Sequence, residues 1–265
     1  MAKKQSKWLW VSAIFTYLFL YVPLIVVVAY SFNDSRLNAE WVRFTLKWYQ
    51  TLFDNEKLLI AAGNSLIIAV FASLVSTVLG TLAGIALHRY KKLRLLSFLV
   101  FTPIAIPELL MGVSLVIFFV LINQLIGILD LGLITILLSH IAFCIGFVAI
   151  VVRARMQGMD DSLVEAARDL GATPLQAFRL ITLPLIMPGI IAGALMAFTL
   201  SIDDFVITFF TAGAGASTLP LEIYSMIKIS VTPEVNAVSS LLMLVTLALI
   251  VIASRVSPSA LRPKG

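Results

Sequence analysis

Three carboxylates occur inside or at the end of long apolar stretches in which charged residues are otherwise absent. Glu108 lies about halfway along one stretch, and Asp203 and Asp204 end another. Neither stretch contains a lysine or arginine that could neutralise these charges. An ionisable residue within a membrane span is costly and is by default a hypothesis of function. The three carboxylates therefore favour a path for a cation.

Structural explanations of the same residues stay open. Asp203 and Asp204 could instead cap an outer helix or bind water at the membrane interface. Glu108 could hydrogen-bond to Ser or Asn on a neighbouring helix, or pair with a residue of a partner chain.

Aromatic residues cluster between the first two apolar stretches, and they allow two explanations. They are Trp41, Phe44, Trp48, Tyr49 and Phe53. Aromatic faces attract ammonium groups. A belt of Trp and Tyr at the membrane interface has the same composition, and Trp48 and Tyr49 could serve both purposes.

Histidine and cysteine offer little further chemistry. His140 and Cys144 are four residues apart and share a helical face, but two ligands are too few for a metal site. We expect both side chains to fill space in a core. A single cysteine also excludes an intramolecular disulfide.

The composition places these residues in a membrane protein. The 265 residues are 60% hydrophobic and 12% charged, with a mean hydropathy of +1.04. Soluble domains carry about 25% charged residues. So little charge cannot cover a water-facing surface, which argues against a soluble enzyme, a disordered protein and a nucleic-acid binder.

Six apolar stretches are long enough to cross a membrane, which takes about 20 residues. The predicted spans are 8–32, 58–87, 95–129, 131–152, about 180–202 and 235–254. Pro103 and Pro107 are expected to kink or delay the third helix, and Asn123 to mark its outer end. Residues 205–221 are expected to continue helix five outward and then form a buried or re-entrant loop, because irregular backbone at membrane depth must be covered.

The distribution of basic residues favours six spans over seven. Lys and Arg accumulate in cytoplasmic loops. With both termini inside, fourteen of the nineteen basic residues fall on the cytoplasmic side. A seventh span would move Arg255, Arg262 and Lys264 outside. The sequence therefore predicts an all-α membrane protein with six transmembrane helices and cytoplasmic termini.

The loop 153–180 carries the clearest local signals. Ser162 and Glu165 match a capping box, so a helix should start near residue 163. Gly171 stands where a C-cap glycine would stand, and the Thr-Pro pair at 173–174 is typical of the start of another helix. The loop is either a docking element or a simple link between two spans.

The same loop resembles a family signature. Glu165-Ala166-Ala167, Gly171 and the segment 181–184 follow the EAA signature of ABC importer permeases. The resemblance implies a type I importer fold, a permease pair, a cytoplasmic ATPase dimer and an extracytoplasmic binding protein. It also implies that this short helix docks on the ATPase. The implied coupling residues are Leu163, Val164, Glu165, Ala166, Ala167, Asp169, Leu170 and Gly171.

Further stretches resemble the second permease of spermidine/putrescine importers. They are 30–33, 47–49, 139–144, 165–172, 198–204, 219–221, 223–226 and 233–237. By this resemblance, the substrate path contains Trp48, Glu108, Ser201, Asp203 and Asp204. The family has Asp at position 108, and Glu reaches one methylene farther.

The resemblance also divides the chain. Residues 1–57 would form an N-terminal helix and the first outer loop, 58–256 the permease core, and 257–265 a cytoplasmic tail. Two glycine pairs with a spacing of four, 80/84 and 189/193, permit close helix contacts within the chain or with the second permease.

The predicted function is the permease subunit of an ATP-driven polyamine importer in the bacterial inner membrane, working by alternating access. The partners would be the second permease, the ATPase dimer, the polyamine-binding protein and membrane lipid, with no nucleic acid. The sequence has no phosphate-binding loop. ATP and Mg²⁺ would therefore belong to the ATPase, and this chain would have no catalysis and no cofactor or metal.

Three alternatives remain. One is an ABC permease for another small solute. Another is a cation carrier driven by an ion gradient, which would predict internal repeats, and none is evident. The third is a membrane-embedded enzyme or structural subunit, for which His88 and His140 form no coherent constellation with carboxylates.

Overall fold

The computed structural model describes residues 7–35, 40–90, 92–160, 162–229 and 232–256. The predicted tail, 257–265, lies outside these residues. Within them the chain is helical, and its extended pairing is limited to one isolated bridge between Asn33 and Phe44. The all-α prediction is therefore confirmed.

The chain folds as two compact units. One contains Met1–Leu59 and Glu222–Leu247, and the other contains Ile60–Leu221 and Ala248–Gly265. The helices of the first unit are α1 (Lys7–Tyr30), α2 (Lys47–Asp54), the first turn of α3 (Glu56–Arg89), most of α11 (Leu219–Ile229) and the start of α12 (Pro233–Val256).

α1 is apolar on every side and buries nothing in the most apolar part of its length. A helix without a polar face needs an apolar environment all round.

The loop after α1 is organised by the buried side chain of Asn33. Its amide donates to the carbonyl of Glu40 at 2.7 Å, and its Oδ1 accepts the N–H of Val42 at 2.8 Å.

The second unit contains the rest of α3 and the helices that surround α6. They are α4 (Arg94–Ala105), α5 (Glu108–Ile126), α6 (Leu133–Gln157), α7 (Ser162–Asp169), α8 (Pro174–Ala177), a π-helical segment (Phe178–Thr182), α9 (Leu183–Ile202) and α10 (Val206–Thr211). The buried core of this unit includes Phe143, Val148 and Val152 of α6, with Ile186 and Ile207 packed nearby.

Both glycine pairs pack against α6. A Cβ on Gly80 would lie 2.6 Å from the Cβ of Val148, and one on Gly84 would lie 2.9 Å from the carbonyl oxygen of Ala149. On α9, a Cβ at Gly189 would come within 2.8 Å of Arg155. These glycines therefore allow close contacts within the chain.

The third predicted span is two helices rather than one kinked helix. Pro103 lies within α4, whereas Pro107 precedes α5. Between them, Ile106 has extended backbone angles of −82° and 134°. A residue before proline is driven out of the helical region, and proline has no N–H to continue the ladder. α5 ends at Ile126, three residues beyond Asn123.

The predicted outward continuation of helix five is wrong. α9 ends at Ile202, and α10 is a separate helix of 6 residues that packs on α5 and α6. The segment is nevertheless buried, as predicted, at Ile207, Thr208 and Thr211. Two bonds to α3 hold the loop that follows: Asn64 Nδ2 donates to the carbonyl of Ser217 at 2.9 Å, and Ser65 Oγ accepts the N–H of Leu219 at 2.8 Å.

Five helices in the described part of the chain are long and apolar enough to cross a membrane. They are α1, α3, α5, α6 and the continuous stretch from α8 to α9. α4 is shorter, and so is the part of α12 whose side chains are described.

Candidate functional site

Glu108 and Asp203 are exposed carboxylates of the second unit. Glu108 is the first residue of α5 and Asp203 caps the C-terminal end of α9. Asp203 lies within electrostatic range of both Glu108 and Asp204. Asp203 thus lies near each of the other two carboxylates that the sequence indicates.

The position of Glu108 follows from the break at Pro107. The first turn of α5 has backbone N–H groups without helical partners, and the helix dipole is positive there. A carboxylate at this end is stabilised even where the surroundings are apolar. Glu108 therefore belongs to a helix end, not to the middle of a continuous span as the length of the apolar stretch implied.

Asp204 differs from its neighbour because it is buried, at 8% exposure. Its Oδ1 accepts the backbone N–H of Thr208 at 2.9 Å and the hydroxyl of the same residue at 3.0 Å. The carboxylate thereby secures the start of α10. Capping was one of the structural explanations left open for this residue.

His140 completes a polar cluster around Asp204. Its Nε2 lies 2.9 Å from Thr208 Oγ1 and 3.3 Å from Asp204 Oδ1, and its Nδ1 lies 2.7 Å from Ser201 Oγ. We call these four residues, His140, Ser201, Asp204 and Thr208, the α6–α9–α10 cluster. All four are buried.

The sequence did not reveal this role of His140, which was expected to fill space beside Cys144. Cys144 is indeed buried in the apolar core, with its thiol 3.5 Å from the carbonyl oxygen of Ala197. Helical spacing places the two on one face, but it carries no information on the partners of that face. In the described part of the chain, no group of three or more His, Cys, Asp or Glu is arranged to hold a metal.

Trp48 belongs to the other unit, where it is buried at 6% exposure. Its Nε1 donates to the carbonyl of Asn33 at 2.8 Å, and the ammonium group of Lys47 lies 5.2 Å from its ring centroid. The indole lines a groove of about 390 Å³ together with Thr51 and Glu234. Its aromatic neighbours Trp41, Phe44 and Phe53 are exposed.

The α7–α8 loop has the two helices that its sequence predicts. Gly171, with φ of +89°, closes α7. Its N–H donates to the carbonyl of Arg168 at 3.0 Å, and the N–H of Ala172 donates to the carbonyl of Ala167 at 3.0 Å. These two bonds form a Schellman motif. At the start of α8, Thr173 and Gln176 exchange backbone-to-side-chain bonds of 2.8 and 3.3 Å.

α7 starts within one residue of the predicted position, but the residue that caps it is a different one. Ser162 is the first helical residue, and the carboxylate of Asp160 accepts its N–H at 3.0 Å. The bonds from Ser162 lower the pKa of Asp160. The cap is therefore strongest above the usual pKa of an aspartate and is lost as the pH falls through the lowered value.

The predicted coupling residues divide into two sets. Val164 and Ala167 are half-buried, while the other six are exposed: Leu163, Glu165, Ala166, Asp169, Leu170 and Gly171. Leu170 has 90% of its surface exposed. Leu175 and Leu180, which the sequence analysis did not single out, are also exposed, at 64% and 74%. This end of the unit thus presents apolar side chains on short, well-capped helices.

A groove of about 540 Å³ lies beside α7. The end of α3 supplies His88 and Arg89 to it, α6 supplies Met156, and α7 supplies Val164 and Glu165. Beyond α8, the π-helical segment leads without interruption into α9. Only residues 170–173 therefore separate α7 from a continuous helical stretch of membrane length.

Comparison with known families gives one match that covers most of the chain. Residues 76–264 match the family described as binding-protein-dependent transport system inner membrane component.

Two curated relatives cover almost the whole chain. The putrescine transport system permease protein PotI of Escherichia coli K12 is 42% identical over 243 residues, which is 90% of this chain and 86% of that protein. The spermidine/putrescine transport system permease protein PotC of the same strain is 41% identical over 237 residues, 89% and 88% of the two chains.

A solved structure shares the fold. The crystal structure of a bacterial ABC transporter involved in the import of the acidic polysaccharide alginate contains a chain that matches with a TM-score of 0.76. The match covers 96% of this chain and 95% of the other, at 20% identity.

Proposed function

The chain belongs to the family of binding-protein-dependent transport system inner membrane components, and from this membership we propose that it is the permease subunit of an ATP-driven polyamine importer. The observation that carries the proposal is the exposed pair of carboxylates, Glu108 and Asp203, in a chain whose relatives are named for putrescine and spermidine. Putrescine and spermidine carry several ammonium groups, and carboxylates in a poorly hydrated site bind such groups strongly.

The proposed path uses the break between α4 and α5. These two helices together make one discontinuous span, which exposes the N-terminal end of α5 within the apolar layer. Glu108 neutralises the positive end of that helix and adds a negative charge beside Asp203. Trp48, which the resemblance assigns to the path, is buried in its own unit and already faces the ammonium group of Lys47, so its part in transport stays a prediction.

The proposed topology has six spans and cytoplasmic termini. They are α1, α3, the α4–α5 pair, α6, α9 and α12. The positive-inside rule supports this arrangement, since it leaves most basic residues in cytoplasmic loops. In this proposal residues 58–256 form the permease core, preceded by the helix and outer loop of 1–57 and followed by a tail.

α7 is proposed to couple the permease to a cytoplasmic ATPase dimer. Its exposed apolar residues would dock in a groove of the ATPase, and its caps keep so short a helix rigid. The other partners in the proposal are a second permease and an extracytoplasmic binding protein for polyamines. ATP and Mg²⁺ would be bound by the ATPase alone, so this chain would bind no cofactor and perform no catalysis.

Transport by alternating access then follows from these parts. The binding protein delivers substrate to the outer face of the permease pair. ATP binding closes the ATPase dimer, and α7 passes that displacement to α9 through α8 and the π-helical segment.

Uptake into membrane vesicles tests this proposal. Vesicles would contain this chain with its co-encoded neighbours, and labelled putrescine and spermidine would be measured with and without internal ATP and with an uncoupler. We expect uptake that requires ATP and survives the uncoupler. Assembly and ATP hydrolysis without polyamine uptake would retain the importer and refute the substrate. Uptake that needs only an ion gradient would refute the coupling role of α7.

A further inference from the structure

His140 lies where three helices meet, and it contacts two of the five residues predicted for the substrate path. His140 belongs to α6, Ser201 lies near the end of α9, and Asp204 lies in the turn before α10. Only 2% of its surface is exposed. The imidazole is therefore out of reach of a substrate, although it touches residues next to the exposed Asp203.

The hydrogen bonds define how the imidazole is used. Thr208 Oγ1 donates to Asp204 Oδ1, so its oxygen is left to accept the N–H at Nε2 of His140. In the neutral imidazole, Nδ1 then accepts the hydroxyl of Ser201. Each polar atom of the ring has a partner, which a buried imidazole requires.

The cluster fixes the turn between α9 and α10. Asp204 is bound to α10 through the N–H of Thr208 and to α6 through His140, while Ser201 binds the same imidazole from α9. Asp203 lies between the two anchored residues of this turn. Its carboxylate is left exposed because the neighbouring carboxylate is held inward.

We propose that His140 is a positioning residue for transport: through Ser201 and Asp204 it holds the α9–α10 turn so that Asp203 faces the path beside Glu108. Ser201 and Asp204 then act on the substrate through the geometry of the turn and not as direct ligands. This inference rests on the proposed function, and it assigns the direct contacts to Glu108 and Asp203.

A double-mutant cycle tests the inference. The variants are His140→Leu, Asp203→Asn and the double variant, and uptake is measured as a function of the concentration of polyamine-loaded binding protein. Because hydrogen bonds to charged groups are worth about 1.5–3 kcal/mol, we expect each single change to lower uptake about tenfold or more. If His140 acts through Asp203, the double variant is no slower than Asp203→Asn. If the fold-losses of uptake in the two single variants multiply in the double variant, the two residues act independently, because independent effects add in free energy. That result would refute the inference.

Two further variants separate positioning from packing. His140→Gln retains a donor at the place of Nε2 and should restore part of the uptake, whereas His140→Asn reaches only the place of Nδ1 and should not. Equal uptake in the two variants contradicts the proposal. Ser139→Ala is the matched control, because Ser139 is buried on α6 and bonds only within that helix, to the carbonyl of Thr135 at 2.7 Å.

The outcomes also distinguish this inference from the proposed function. If the wild-type complex does not transport polyamine, the proposed function fails before any variant is compared. If His140→Leu does not assemble with its partners, the cycle is run with His140→Asn, which loses the contact at Nε2 without introducing an apolar side chain. Normal uptake by assembled His140→Leu would refute the positioning role while leaving the polyamine importer intact.

Discussion

At the residue scale, the three membrane carboxylates are not equivalent. Burial and bonds to two residues, Thr208 and His140, separate Asp204 from Asp203, although the two are adjacent in the chain. Glu108 is separated from both by its position at a helix N-terminus. Charge-removing substitutions should therefore have three different consequences.

Removing the charge of Glu108 should impair uptake without impairing assembly. For Glu108→Gln we expect a loss of about tenfold or more, as for other charged hydrogen-bonding partners. Glu108→Asp retains the charge and should retain most of the uptake, with an altered ratio of putrescine to spermidine. Asp130→Asn is the control, because Asp130 is an exposed carboxylate whose Oδ1 bonds Asn123 at 2.8 Å, away from the path. Normal uptake by Glu108→Gln contradicts a role on the path.

Asp204 should matter for stability more than Asp203. Asp204→Ala leaves the N–H and the hydroxyl of Thr208 without their acceptor, which costs about 1–3 kcal/mol for each buried group. Asp203→Ala removes an exposed carboxylate and should change the free energy of unfolding only slightly. Thermal unfolding of the two purified variants in detergent measures the difference, and equal midpoints would show that the cluster adds no stability.

The sequence predicted the local features of these sites and missed the long-range ones. Gly171 and Thr173 act through neighbours within five residues, so their spacing alone predicts the caps. The contact of His140 with Ser201 joins positions 61 apart. No local pattern encodes such a contact, because it depends on how α6 and α9 pack.

At the element scale, the helix ends determine the architecture more than the helix interiors do. Pro107 turns one predicted span into two helices, and Asp203 and Asp204 end α9 where continued apolar sequence predicted an extension. Hydropathy cannot distinguish these arrangements, since the residues on both sides of each break are equally apolar. The C-terminal cap of α7 and the N-terminal cap of α8 were predictable because they depend on residue type.

Gly171 tests the end of α7 through backbone conformation alone. A Cβ at this position would meet nothing within 4 Å, so the cost of substitution comes from its φ of +89°. A left-handed conformation costs about 1–2 kcal/mol for most residues and less for Asn. We expect Gly171→Asn to retain uptake and Gly171→Val to lose much of it. Substrate capture by the separate binding protein should be unchanged in both, and equal uptake would exclude the cap from coupling.

Two glycines of α3 give a matched test of close packing. Gly80→Ala would place its Cβ 2.8 Å from the carbonyl oxygen of Ile145, on backbone that cannot rotate away. Gly63→Ala meets nothing within 4 Å and should stabilise its helix by up to about 1 kcal/mol. Thermal unfolding in detergent should therefore rank Gly63→Ala at or above the wild type and Gly80→Ala below it. The reverse order of unfolding temperatures would contradict the close contact of Gly80 with α6.

At the scale of the whole molecule, the chain has more apolar surface than it can cover. α1 is exposed along its length, and large apolar residues of α3, α5 and α9 are exposed as well. Lipid and partner chains must supply the missing contacts. The five membrane-length helices and the family match agree on a multi-pass protein of the bacterial inner membrane.

The orientation of α6 gives a direct test of topology. Asp130 precedes this helix of 25 residues and Asp160 follows it. We expect Asp160→Cys to react with a membrane-impermeant maleimide only from the cytoplasmic side, and Asp130→Cys only from the outside. Cys144 is buried and serves as an internal blank. Labelling of both positions from one side would refute the proposed crossing.

The glycine contacts on α6 have a mechanical meaning. α3, α4 and α9 all pack closely on α6 at glycines, and at Gly80, Gly84 and Gly146 a Cβ would lie within 3 Å of a backbone carbonyl oxygen of the facing helix. α6 has 25 residues and is therefore about 37 Å long, so helices packed on it at both ends would move with it. A tilt of about ten degrees moves its far end by about 6 Å. A small rotation at one end of α6 thus becomes a displacement of about one helical turn at the other end.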